Sequence, residues 1–275
     1  MSRLPLKRAL LIGINYTDTD AALAGCINDV QNVRDYLIEE AGFHACQITV
    51  MSDNLSKDSR HYPTRANILT QMQSVAAEIT QEGDLLYFHY SGHGSYQRQG
   101  WLKRWFVRDE LDGQDETICP VDCDSAGMIV DDELRRLLVD ALPDGAILRA
   151  VFDCCHSGTL IDLRYNYRLD EEKRETLTKN SAISSTRCDA LMLSGCLDAE
   201  TSADARIDGK ASGALTAAFL KTIRKYGETA SCKRLLRGIH RYLAREGFPQ
   251  RPQFSSGQRL DWTHAKFLPN NEITD

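Results

Sequence analysis

The sequence predicts an α/β fold in which a mostly parallel central sheet is sandwiched by helices. Three observations predict it. Short apolar runs alternate with longer stretches of helical periodicity along nearly the whole chain. Two of those runs stop at a polar turn of Ser and Gly, and open α/β sheets collect their sites at the carboxyl ends of parallel strands. No repeat, low-complexity tract or Pro/Gly/Ser linker divides the 275 residues, and 42% hydrophobic content supports one large core, so residues 1–275 read as a single domain.

The elements follow in order. Residues 9–15 form a first apolar run, read as a strand, and 24–41 carry a helical pattern. A strand at 47–51, a helix at 64–80 and a strand at 84–90 come next, the last built on Leu85-Leu86-Tyr87-Phe88. Residues 131–142 read as helix, 147–153 and 191–195 as strands, and 213–226 and 231–246 as closing helices. Alternation of this kind implies parallel strands covered on both faces. The weakest patterning spans 162–187, where Arg164, Arg168, Lys173, Arg174 and Lys179 are scattered among acids, and it reads as an exposed connection. A glycine-bearing loop at 198–212 precedes the last two helices; such loops are natural cleavage sites.

Composition narrows the function. A net charge of −6 gives no basic excess, which argues against nucleic acid or an anionic membrane as the primary partner. The first eight residues lack the apolar core of a signal peptide, and residues 9–14 are too short to span a bilayer, so a soluble cytoplasmic protein is expected. Nine cysteines, an odd number scattered through strand-like and helix-like stretches, suit a reducing compartment and mostly fill the core. Cys119 and Cys123 form a C-x3-C pair with no second pair at zinc-finger spacing, which argues against structural zinc.

The chemistry concentrates at two strand ends. Val151-Phe152-Asp153-Cys154-Cys155-His156-Ser157-Gly158 ends an apolar run with two thiols, and Tyr90-Ser91-Gly92-His93-Gly94-Ser95 delivers a histidine between two glycines. A thiol becomes a competent nucleophile when a neighbouring base takes its proton, and His93 and Cys155 fit those roles. Taken singly, His93 is a polar residue in a Gly turn and Cys155 a small buried hydrophobe; together they favour catalysis. Strand alternation sends Cys154 and Cys155 to opposite faces, and the thiol nearer the turn is the more exposed. His156 adjoins the thiol without facing it, and reads as an orienting or exposed turn residue. A phosphatase-type C-x5-R loop fails, because Ile161 stands at the Arg position.

The YSGHGS and DCCHSG segments are similar to the His and Cys motifs of the metacaspases, cysteine peptidases of the caspase fold, in their single-chain type without a Pro-rich prodomain. Further matches are Gly25-Cys26-Ile27-Asn28-Asp29, Cys119-Pro120-Val121-Asp122, Ile129-Val130-Asp131-Asp132-Glu133-Leu134, the stretch from Ser194 to Asp204, and Arg251-Pro252-Gln253-Phe254-Ser255-Ser256. They span nearly the whole chain in family order. The true-caspase Gln-Ala-Cys signature is absent. The resemblance implies a caspase-like fold, with a large-subunit-like region at about 1–165 and a small-subunit-like region at about 188–275.

It also implies a cysteine endopeptidase acting on protein or peptide substrates after Arg or Lys, with backbone N–H groups near Gly94 and Cys155 holding the oxyanion. By resemblance, Cys26, Asp29, Ser91 and Asp153 line the primary specificity pocket; a buried carboxylate pair there would select a cationic side chain. The acids Asp112, Asp115, Glu116, Asp131, Asp132 and Asp162 read on spacing alone as solvated loop residues. The resemblance assigns Asp115, Asp131, Asp132 and Asp162 to an activating Ca²⁺. It further implies self-cleavage, at Lys210 first or within 164–187, where Lys179 is a candidate, and a monomeric state. The competing reading from another class is a catalytically silent caspase-fold scaffold or signalling module. An insert at 96–109, with Arg98, Trp101, Lys103, Arg104, Trp105 and Arg108, departs from the motif, and reads as a lid, a partner surface or a tolerated surface insertion.

Overall fold

The computed structural model describes residues 3–98, 114–155, 157–170, 172–195, 204–207, 210–227 and 229–269. The expectations for His156, Asp112, Trp101, Lys103, Arg104, Trp105 and Arg108 fall outside them. An eight-stranded sheet carries the fold. Its strands are β1 (Lys7–Gly13), β2 (Ile48–Ser52), β3 (Leu85–Ser91), β7 (Ile147–Asp153), β8 (Tyr165–Leu169), β9 (Glu175–Lys179), β10 (Asp189–Ser194) and β13 (Gln253–Ser256). They lie in the order β2-β1-β3-β7-β10-β13-β8-β9. The pairs from β2 to β10 are parallel, and β13, β8 and β9 are added antiparallel.

Two cores follow from the alternation of side chains along the strands. On β3, Leu85 and Tyr87 face one layer while Leu86 and Phe88 face the other. The first layer packs against helices α1 (Cys26–Glu39), α5 (Ala214–Tyr226) and α6 (Cys232–Arg245), through Val33, Leu37, Phe219, Leu220, Leu236 and Ile239. The second packs against α2 (Arg65–Glu78) and the segment from Asp131, through Ile68, Met72, Leu134 and Leu138. Caps fix two of these helices, because a hydroxyl satisfies an otherwise orphaned N–H. Thr64 accepts from the Asn67 N–H at 3.2 Å, and Ser231 from the Arg234 N–H at 3.3 Å.

Four elements differ from the expectations. The helix at 131–142 is a short α4 (Asp131–Arg135) followed by a wide π turn, Arg136–Asp140, of the kind found near functional sites. The exposed connection at 162–187 contains β8 and β9. Tyr167 is buried, donates to the Leu260 carbonyl at 3.0 Å and sits 5.3 Å from the Trp262 ring. That partner lies far down the sequence, and the charges of Arg164 and Arg168 masked the strand pattern. The loop before α5 holds an antiparallel hairpin of β11 (Asp204–Ile207) and β12 (Lys210–Gly213). A small antiparallel sheet joins β4 (Gly94–Arg98), β5 (Gln114–Ile118) and β6 (Ile129–Val130), with the single turn α3 (Cys123–Ala126) between the last two.

Candidate active site

Sheet register builds the site. Gly13, Ser91 and Asp153 stand side by side at the carboxyl ends of β1, β3 and β7, and Ser194 pairs with Phe152 next to them. The chain leaves β3 through Gly92-His93-Gly94 and β7 through Cys154 and Cys155. The two exits touch. A Cβ on Gly94 would lie 2.0 Å from the Cys155 carbonyl oxygen and 3.2 Å from the Cys154 Sγ, so only glycine allows this approach. Cys154 is buried and Cys155 half-buried. The turn beyond them is pinned twice: Ser157 Oγ donates to the Cys154 carbonyl at 3.1 Å, and Gln253 Nε2 to the Gly158 carbonyl at 2.6 Å.

His93 is held from several sides. Its N–H donates to Tyr16 Oη at 3.0 Å, and its carbonyl accepts from Tyr90 Oη at 2.8 Å. The Tyr16 ring lies 4.7 Å from the imidazole, and Tyr16 Oη donates to the Cys119 carbonyl at 2.6 Å. Burial pushes both phenols well above 10, so they remain neutral donors. The ring nitrogen Nε2 lies 2.7 Å from the Ala21 carbonyl. A carbonyl only accepts, so Nε2 carries the hydrogen and the neutral ring keeps its lone pair on Nδ1, a base oriented by a third group. The histidine within β3, His89, is fully buried; burial holds it down to about 3, so it stays neutral and carries no exchangeable charge at neutral pH.

Beside these turns lies a pair of buried carboxylates. Asp29 sits in the first turn of α1, whose first N–H groups, those of Cys26 and Ile27, donate to Asn15 Oδ1 at 3.0 and 3.3 Å. The Asp29 carboxylate accepts from Ser91 Oγ at 2.6 Å, from Ser212 Oγ, and from the Gly213 N–H at 2.9 Å. Asp153 accepts from both the N–H and the Oγ1 of Thr216 at 2.8 Å. Cys26, Asp29, Ser91 and Asp153 are all buried. Burial first, and the charge of Asp153 second, raise Asp29 from 3.8 to about 7; the hydroxyl and N–H donors offset only part of that.

A second acidic group sits on the other layer. Ligand oxygens of Asp131, Asp132 and Asp162 all lie within 4.8 Å of one another, with Asp131 and Asp162 buried. Asp162 holds φ 45°, a left-handed conformation that Asp tolerates better than most residues, and its carbonyl accepts from the Arg135 guanidinium. Three converging carboxylates fit a hard divalent cation. Asp115, the fourth expected ligand, is buried on β5 but does not belong to that group; its neighbour Glu116 links the region to the thiol turn by donating its N–H to Asp131 at 3.1 Å and accepting from the Thr159 N–H at 2.7 Å. Among the described residues no helix is long and apolar enough to cross a membrane.

The two cleavage candidates differ in setting. Lys179 is exposed on β9, the edge strand, paired with Tyr165. Lys210 opens β12 opposite Ile207, and the next carbonyl, of Ala211, accepts from Asn28 Nδ2 at 2.8 Å, one residue from Asp29. Sequence reasoning missed Asn15, Tyr16, Ala21, Ser212, Gly213 and Thr216. The only signal for the last three was Ser212-Gly213-Ala214-Leu215-Thr216, a small-residue entry into a helix.

Comparison with known proteins gives the family. The metacaspase, peptidase C14 domain family matches residues 7–164. Metacaspase-1 of Mycosarcoma maydis is 37% identical over 93% of this chain and 71% of its own length. Metacaspase-1 of Schizosaccharomyces pombe is 36% identical over 95% and 70%, and that of Candida albicans 34% over 95% and 67%. In fold, the chain is similar to a Geobacter sulfurreducens protein of known crystal structure, with a TM-score of 0.65, 24% identity and coverage of 95% and 97% of the two chains. With its thiol and imidazole at adjoining strand ends of a caspase-like α/β sheet, the chain belongs to the metacaspases, cysteine-type peptidases of family C14.

Proposed function

We propose that this chain is an endopeptidase that cuts protein or peptide substrates after Arg or Lys, is activated by Ca²⁺, and processes itself at Lys210. In this reading His93 Nδ1 takes the proton of Cys155, and the thiolate attacks the scissile carbonyl. The tetrahedral oxyanion is met by N–H groups at Gly94 and Cys155. Collapse breaks the C–N bond, the imidazolium gives its proton to the leaving amine, and water, deprotonated by the same imidazole, hydrolyses the thioester and restores the thiol.

One observation carries the specificity: Asp29, on α1, and Asp153, two residues before Cys155, are both buried, and Ser91, which pairs with Asp153 across the sheet, donates its hydroxyl to Asp29. A substrate guanidinium or ammonium would neutralise them, whereas a substrate carboxylate would add like charge at a cost of several kcal/mol. Asp131, Asp132 and Asp162, with Asp115 nearby, are the residues that would hold Ca²⁺, which supplies positive charge to order the loop leading away from Cys155. The proximity of Lys210 to the acid pair supports intramolecular cutting, since a tethered segment has a high effective concentration. Peptides differing only in an Arg, Lys or Asp before the scissile bond, assayed with Ca²⁺ and with chelator, test the reading. Comparable turnover of the Asp peptide rules out the proposed specificity.

A further inference from the structure

The two carboxylates of the acid pair come from different elements, α1 and β7, yet a single short segment holds both. Ser212 and Gly213 end β12 and reach Asp29; Thr216, three residues on, lies in the first turn of α5 and reaches Asp153. Ser212 and Thr216 are fully buried. Between them Gly213 has no side chain for a reason: a Cβ there would stand 2.2 Å from one Asp153 oxygen and 2.8 Å from an Asp29 oxygen. The carboxylates therefore converge on the backbone at Gly213. The segment is itself anchored on α1, by the Asn28 Nδ2 bond to the Ala211 carbonyl and by Gly25, where a Cβ would meet the Ser212 backbone at 2.7 Å.

All the donors from this segment are hydroxyls or backbone N–H groups, and two of those N–H groups, on Gly213 and Thr216, belong to the start of α5, whose free N–H groups and dipole favour negative charge. Two like charges at close range repel, so the pair needs donors to keep its oxygens oriented and ionised toward a guest. Neutral donors do this without supplying a competing cation. We propose that Ser212, Gly213 and Thr216 are positioning residues for substrate selection, a clamp that orients Asp29 and Asp153 so that together they bind the cationic side chain before the scissile bond. The clamp rests on the Arg/Lys reading, and it deepens that reading by locating the specificity determinant partly outside the carboxylates.

The test uses the full chain and two peptides identical except for Arg or its neutral isostere citrulline. Thr216→Val removes one hydroxyl donor and keeps the N–H. It should lower the Arg-to-citrulline ratio of kcat/KM by about tenfold or more, mainly through KM for the Arg peptide, because a hydrogen bond to a charged group is lost. Thr216→Ser should restore the ratio to within about twofold. Ser212→Ala, acting on the other carboxylate, should lower the ratio in the same way, and serves if the valine variant does not fold. An unchanged ratio in the folded variants, or equal losses on both peptides, overturns the clamp. A wild-type chain that fails to prefer Arg over citrulline refutes the specificity reading beneath it instead.

Discussion

The acid pair and the acid cluster pose one electrostatic problem and answer it differently. At Asp29 and Asp153, two buried carboxylates are met by hydroxyls and N–H groups from Ser91, Ser212, Gly213 and Thr216, and burial with mutual repulsion lifts Asp29 to about 7. At Asp131, Asp132 and Asp162, three carboxylates converge within 4.8 Å, two of them from the short helix that runs into a π turn. Neutral donors suit a guest that must arrive and leave with each turnover. Convergent oxygens suit a divalent ion that stays and orders the loops. One layer of the molecule thus carries a proposed substrate pocket and the other a proposed activating site, both reached from the turn that bears Cys155.

The sharpest way to break that division is to remove one carboxylate from each region. Asp153→Ala should lower kcat/KM for Arg peptides at least about a hundredfold, or ~3 kcal/mol, because the remaining buried charge loses half of its counterpart for the cation. The Ca²⁺ concentration giving half-maximal activity should not move. Asp131→Asn with Asp132→Asn should do the reverse, abolishing activation at roughly millimolar Ca²⁺ while leaving the Arg-to-citrulline ratio intact. Titration of initial rates against free Ca²⁺ checks both; one variant that moves both readouts would merge the two regions into one site.

The pair also predicts a pH dependence. Because Asp29 is raised from 3.8 to about 7, an Arg side chain binding below that value must displace a proton. KM for the Arg peptide should therefore fall as pH rises from about 6 to about 8, by up to about tenfold per unit on the acidic side, while KM for the citrulline peptide stays flat. The same shift sets the sign for stability. The folded chain binds this proton more tightly than the unfolded chain, so the contribution is complete below 3.8 and is lost as pH rises through about 7. Asp29→Asn should remove that slope from a series of thermal melts, and a slope that persists would place its origin elsewhere. The smallest effect concerns processing. Lys210→Gln should abolish the fragment ending at residue 210 in intact-mass spectra, and Lys179→Gln should leave it, since Lys179 lies on β9 at the far edge of the sheet while the residue after Lys210 is bonded to Asn28, next to Asp29.

Much of this arrangement was legible in the residues. The apolar runs ending at Ser91 and Asp153 located the two strand ends, whereas the contact of Gly94 with Cys155 itself emerged only from the fold. Short-range pattern carried no information on partners that arrive from elsewhere. Tyr16 and Ala21 orient His93 from the loop after β1, and Ser212 and Thr216 hold the acid pair from 60 or more residues away. The same limit hid β8, whose burial depends on Leu260 and Trp262. Asp115 was expected from the family resemblance alone, spacing having suggested a solvated loop; it is buried on β5, and the three acids that converge are Asp131, Asp132 and Asp162.

The central claim, that a buried carboxylate pair selects a cation, is tested most directly by kcat/KM of the wild-type chain, with Ca²⁺ at about pH 8, on matched Arg, citrulline and Asp peptides. The account predicts a preference for Arg over citrulline of at least about a hundredfold and no measurable cleavage after Asp. Arg and citrulline peptides cut at rates within about threefold of each other, or an Asp peptide cut as well as either, would contradict it.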